Sequence, residues 1–220
     1  MGTSAEPRRT SGGGNLPALS GVVAVVLIVV AFVGLGGDTP TSEDSGATIN
    51  AFYDSHSARE FIASFVLAAA APFLVIFAVS LALALWPAGG GGRALWQFVL
   101  IAGGATAGLA FVITGMLLFA LTDAADQSNT SESALQALNV LSSDSWVAFN
   151  AGLGVMMLGA AGSLFVRKAS PVLAWVALVV GIASFIPFAD FAALIVAGLW
   201  IIYTSIQLYR RGSEFAPAAV

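Results

Sequence analysis

The 220-residue chain has no cysteine, one histidine and one lysine, and only 9% of its residues are charged. Without cysteine it has no disulfide, no thiolate metal ligand and no cysteine nucleophile, and its redox compartment cannot be read. A lone histidine outside any His-Glu-x-x-His pattern gives no zinc-protease signature. Eight basic residues, scattered along the chain, form no patch for nucleic acid. What is abundant is apolar length, since 58% of residues are hydrophobic. So few surface-forming residues require a bilayer as solvent.

A helix rises about 1.5 Å per residue, so about 20 apolar residues cross roughly 30 Å of hydrocarbon. The apolar runs predict an all-α fold: a polytopic membrane helix bundle of six transmembrane helices, at about 16–35, 60–86, 94–121, 146–166, 171–187 and 191–209. The membrane domain then covers 16–211, and no length remains for a second domain. Orientation follows from the charges. Arg8 and Arg9, Arg93, Arg167 and Lys168, and Arg210 and Arg211 alternate with acidic gaps, and cytoplasmic loops are the ones that keep basic residues. Both termini are therefore expected in the cytoplasm, and Arg59 alone breaks the alternation. Arginine in place of lysine on an Ala- and Gly-rich background matches GC-rich bacterial genomes, which suggests a bacterial plasma membrane.

The gaps carry their own signals. Residues 1–15 are polar and Gly-rich and are expected to form a disordered cytoplasmic tail, with a short tail at 212–220. Arg8-Arg9 is followed by Thr-Ser-Gly-Gly-Gly where an export signal wants large apolar residues, so the first run reads as a retained span. Pro87 and Gly89 to Gly92 predict a tight inner return flanked by Trp86 and Trp96, whose indoles favour the headgroup boundary. Pro72 predicts a bend in the second span. Outside, 37–59 reads as a polar loop in which Ile49, Phe52 and Tyr53 rest at the membrane surface or cap the bundle. The segment 122–145 contains Ser133 and Gln136 at capping-box spacing with leucines at 135, 138 and 141. It reads as a short helix flat on the outer interface or packed on the bundle. Ser142, Ser143, Asp144 and Ser145 offer N-caps for the fourth span, and Pro171 opens the fifth.

No charge falls in mid-span, which disfavours proton pumps, ion-coupled carriers and voltage sensors. Ser64, Thr114, Asn150 and Ser184 lie one to two turns inside the outer boundary of four successive spans. With Asp190 they can line an outward-facing polar pocket, or each can satisfy itself on its own or a neighbouring helix. His56, with Asp54 and Arg59 beside it, is the one side chain expected to titrate near neutral pH, in a candidate pH-sensitive loop. The acidic outer residues lack the alternation of a calcium loop and read as a solvated face. No metal ligand set or cofactor motif is present. Gly104 and Gly108 form a GxxxG that packs helices within the chain or offers a surface to a second copy or another membrane protein.

The stretches Ala47-Thr-Ile-Asn-Ala-Phe-Tyr-Asp-Ser-His-Ser-Ala-Arg-Glu60 and Gly198-Leu-Trp-Ile-Ile-Tyr-Thr-Ser-Ile-Gln-Leu-Tyr-Arg-Arg211 are carried in a pattern that resembles a large group of uncharacterised six-span integral membrane proteins of actinobacteria. The resemblance covers about 16–211 and implies a six-helix bundle in the plasma membrane, with no activity or functional residue to transfer. The expected role is that of a scaffold, sensor or accessory subunit. A small-molecule or lipid-like transporter using the polar pocket is the second reading. A lipid-modifying enzyme with Asp190 or Asp144 as acid or base is the third. A transporter needs a polar cavity that reaches the midplane, an enzyme needs a carboxylate in it, and a scaffold needs neither.

Overall fold

The computed structural model describes residues 16–37, 39–86 and 94–211. The expected tails at 1–15 and 212–220, the inner return at 87–93 with Arg93, and Asp38 lie outside the described residues. Six helices and no strand occur among the described residues: α1 Leu16–Gly36, α2 Gly46–Ala84, α3 Leu95–Asp126, α4 Glu132–Arg167, α5 Pro171–Ala183 and α6 Asp190–Arg211. All but α5 are long and apolar enough to cross a membrane. The chain is therefore an all-helical protein of multi-pass membrane type. Helix α5 has 13 residues, or about 20 Å, and is followed by turns through 184–189. It is capped by Ser170, whose side chain accepts the Leu173 N–H, with Pro171 in the first turn.

Each helix packs on the next in sequence, α6 returns to α1, and α2 also meets α4. Lipid tails are as apolar as leucine, so helices in a bilayer cohere by close approach more than by a hydrophobic drive. The glycines provide that approach. A methyl group at Gly103, Gly152 or Gly159 would strike the facing backbone at Met156, Ala107 or Leu100, which brings α3 and α4 together. Gly104 and Gly108 turn instead toward α2 of the same chain, where an added Cβ would stand 2.5 Å from Ala78 Cβ and 3.2 Å from Val75 Cγ2. Near the start of α3 Gln97 is fully buried and its Nε2 donates to Leu85 O at 2.8 Å, satisfying a carbonyl at the end of α2.

The half of the bundle that holds the ends of α1 and α3 and the starts of α2 and α4 departs from the sequence reading. The segment 37–59 is largely helical, because α2 already begins at Gly46. The segment 122–145 holds no separate interfacial helix: α3 runs to Asp126 and α4 continues unbroken from Glu132 to Arg167. The N-cap of α4 is Ser131, which accepts from the Ala134 N–H at 3.3 Å. The expected caps at 142–145 lie inside the helix, where Ser143 and Ser145 bond back to Asn139 O and Ser142 O. Polar residues end an apolar run without ending a helix, and α2, α3 and α4, at 39, 32 and 36 residues, are each longer than the roughly 20 residues that a bilayer requires.

These extensions form a headpiece with a small core of its own, built from Ile49, Tyr53, Leu121, Ala125 and Leu135. Burying each of its large side chains is worth about 1.5–3 kcal/mol where water is the alternative. The connection from α1 to α2 is fastened to α4. Asn139 Nδ2 donates to Thr41 O at 2.8 Å, and Gln136 Nε2 to Asp44 O at 3.3 Å.

Candidate functional site

Helix α2 leaves helical geometry at His56 (φ −120°, ψ 16°), and not at Pro72. The cause is local competition for carbonyls. Ser55 Oγ donates to Ala51 O and Phe52 O, His56 Nδ1 lies 3.0 Å from Phe52 O, and the imidazole stacks on the Phe52 ring at 4.6 Å. Side-chain bonds of this kind loosen the backbone ladder and bend a helix. One turn further on stand Arg59 and Glu60.

Adjacent helical residues point in different directions. Glu60 turns inward and is fully buried, while a third of the Arg59 side chain remains exposed. The guanidinium reaches round so that Nε and Nη2 both donate to Glu60 Oε1, at 3.0 and 2.8 Å. Its Cζ lies 5.5 Å from the centre of the Phe52 ring, within cation–π range. The end of α1 is shaped to receive it. Nη2 also reaches Gly36 O at 3.4 Å. Gly37 adopts φ +56°, and a Cβ there would stand 3.1 Å from Arg59 Nη1, so only glycine suits the position.

With both arginine bonds on Oε1, Glu60 Oε2 is buried without a hydrogen-bond partner among the described residues. Glu60 lines a cavity of about 220 Å³ with Tyr53, Thr114, Asn139, Ser142 and Ser145. Across it Thr114 and Ser145 share a hydrogen bond of 2.8 Å between α3 and α4. The lower wall is apolar and includes Ala31, Phe32, Ala63, Leu67 and Trp146. Among the described lining residues Glu60 alone carries a charge. The site is thus a small polar chamber with an acceptor that lacks a donor. A buried polar atom left in that state costs about 1–3 kcal/mol, and more when charged.

The five residues expected to share one pocket occupy separate places. Thr114 lines the chamber. Ser64 donates to Phe61 O at 2.7 Å and Ser184 to Val180 O at 2.9 Å, each within its own helix, and neither lines the chamber. Asn150 and Asp190 form a pair, Nδ2 to Oδ2 at 3.0 Å, joining α4 to the start of α6. Asp190 Oδ1 accepts the Phe191 N–H at 2.8 Å.

The loop expected around His56, Asp54 and Arg59 is helical. Asp54 faces away from the chamber, along a shallow groove with Asp123 and Asp126. No three His, Asp or Glu side chains among the described residues are grouped to hold a metal ion. The sequence places Glu60 beside Arg59 as its ion-pair neighbour and Tyr53 at the membrane surface or capping the bundle, but marks neither as a pocket residue, and Asn139 not at all. The usable signal for Glu60 was an arginine beside a carboxylate at the head of an apolar run. Asn139, 79 positions away, gave none. No protein-family model, no curated protein and no solved structure matches the chain.

Proposed function

We propose that the chain is a six-span protein of a bacterial plasma membrane, with both termini cytoplasmic. Its outer headpiece binds a small ligand that donates hydrogen bonds to Glu60, in the manner of a sensor or accessory subunit. The observation that carries this reading is the fully buried Glu60 carboxylate, half satisfied by Arg59 and lining a polar chamber.

Six crossings are supported by the Asn150–Asp190 bond. Asn150 lies 17 positions from Arg167, or about 25 Å along α4, so α5 and its following turns climb nearly the thickness of the hydrocarbon before α6 returns. The sorted arginines support the orientation. A carrier is disfavoured because the deepest chamber residue of α2 is Leu67. Counted from Trp86, Leu67 is about 28 Å up the helix, near the outer edge of the hydrocarbon and well above the midplane site of a carrier. Catalysis by Asp144 or Asp190 is disfavoured because neither lines the chamber.

Thermal unfolding of the purified protein in detergent tests the reading with two small cations. Ethanolamine, which carries N–H and O–H donors, should raise the melting temperature of the wild type and leave Glu60→Gln unmoved. Tetramethylammonium, which has no donor, should do nothing. An ethanolamine shift that is absent, or equal in both proteins, would overturn the assignment.

A further inference from the structure

Next to the polar chamber lies a second cavity of about 490 Å³, between α1, α4 and α6, with almost wholly apolar walls. The two share Phe32 and Trp146, so one pair of rings lines both a polar compartment and the apolar one beside it. We propose that together they hold one outer-leaflet aminolipid, its ammonium headgroup donating to Glu60 and an acyl chain lying in the apolar crevice. This rests on the ligand-binding reading above and names the ligand's class.

Depth supports the assignment. Crevice residues run along α6 from Phe191 to Ile202, 11 steps or about 17 Å, against about 15 Å for half the hydrocarbon. Leu74 lies at its inner end, about 18 Å up α2 from Trp86, and Trp146 at its outer end, about 31 Å up α4 from Arg167. The crevice therefore occupies the outer leaflet. Glu60, about 39 Å up from Trp86, stands roughly 9 Å beyond the hydrocarbon, and headgroups extend about 5–8 Å beyond it. The tilt of a long helix closes the difference. Charge supports it as well, since the only charged lining residue of either compartment, among those described, is the carboxylate with a free acceptor. A soluble polar ligand would leave the crevice unused, and a plain hydrocarbon would leave Glu60 Oε2 without a donor.

Native mass spectrometry of the detergent-solubilised full chain tests this. Phosphatidylethanolamine and phosphatidylcholine with identical acyl chains differ in whether the ammonium has N–H donors. The wild type should retain the first about tenfold better, the ratio expected of one good hydrogen bond, and Glu60→Gln should lose the preference. Gly198 offers a second variant that leaves the polar chamber untouched. A Cβ there makes an ordinary 3.6 Å contact with Val25 Cγ1, so Gly198→Leu should fold, fill the crevice and cut retention of both lipids several-fold while keeping the ethanolamine response. Equal retention of the two lipids, a preference that survives Glu60→Gln, or undiminished lipid retention by Gly198→Leu would each overturn the inference. If ethanolamine still protects the wild type through Glu60, only the lipid assignment fails. If it does not, both readings fail.

Discussion

Phe32 of α1 and Trp146 of α4 meet edge to face, with ring centroids 6.0 Å apart and planes at 86°. Both rings line the polar chamber and the apolar crevice, and Trp146 also packs on Phe149, at 5.1 Å. An aromatic pair of this geometry adds about 0.5–1.5 kcal/mol beyond the area it buries. Phe32→Leu is expected to cost about 1 kcal/mol, because Phe32 is itself 41% exposed. It should also change the environment of Trp146, seen as a shift in indole emission. Unaltered emission would contradict the contact between the two rings.

The Arg59–Glu60 pair stores its cost on one side. Arg59→Met should destabilise by about 1–3 kcal/mol, less than the 3–5 of a fully buried pair because Arg59 is one-third exposed. Glu60→Gln in the same chain should recover part of that loss, since the uncompensated charge is then gone. Thermal unfolding of the two single variants and the double variant gives the coupling. Simple additivity would contradict the pair's role.

Asn139 ties α4 to the connection between α1 and α2 by its 2.8 Å bond to Thr41 O. Asn139→Ala should cost about 1–2 kcal/mol, as expected for a buried bond whose partner is left open. The loss should be local. Hydrogen exchange should quicken in residues 39–45 and stay unchanged around Leu100 and Met156.

Glycine positions should divide sharply. Gly152→Ala places a methyl against the Ala107 backbone, whereas Gly198→Ala meets nothing nearer than 3.6 Å. The first should cost about 1–3 kcal/mol as an overpacked contact. The second should be neutral or slightly stabilising, as alanine is the better helix former. Melting temperatures in one detergent decide the comparison.

Helicity and membrane character were legible because each rests on an apolar run long enough to span the bilayer. The headpiece was legible only in part. The leucines at 135 and 138 announced a helical stretch that packs, but polar residues such as Asn139 and Ser142 hid its continuity with the span, and the polar stretch 37–59 read as a loop. The expected pocket of Ser64, Thr114, Asn150 and Ser184 rested on spacing along each run, and spacing says nothing of rotation about each helix axis. Only Thr114 turned toward the chamber, while Asn150 turned toward Asp190. Arg59, the exception to the charge alternation, marked the place where a buried carboxylate needed a partner. The sequence signal was the cation, and the buried carboxylate lay one residue beyond it.

The proposed orientation places the chamber beside Glu60 within reach of the outside, and the natural absence of cysteine makes this directly testable. Single cysteines at Thr114 and Ser145, which line the chamber, are compared with cysteines at Ser64 and Ser184, which are buried, and at Lys168, the C-cap of α4. With an impermeant thiol reagent applied to intact cells, the first two should label several times faster than the rest. Position 168 should label only after the membrane is opened. Labelling at Thr114 and Ser145 no faster than at Ser64 and Ser184, or rapid labelling of position 168 in intact cells, would contradict the account.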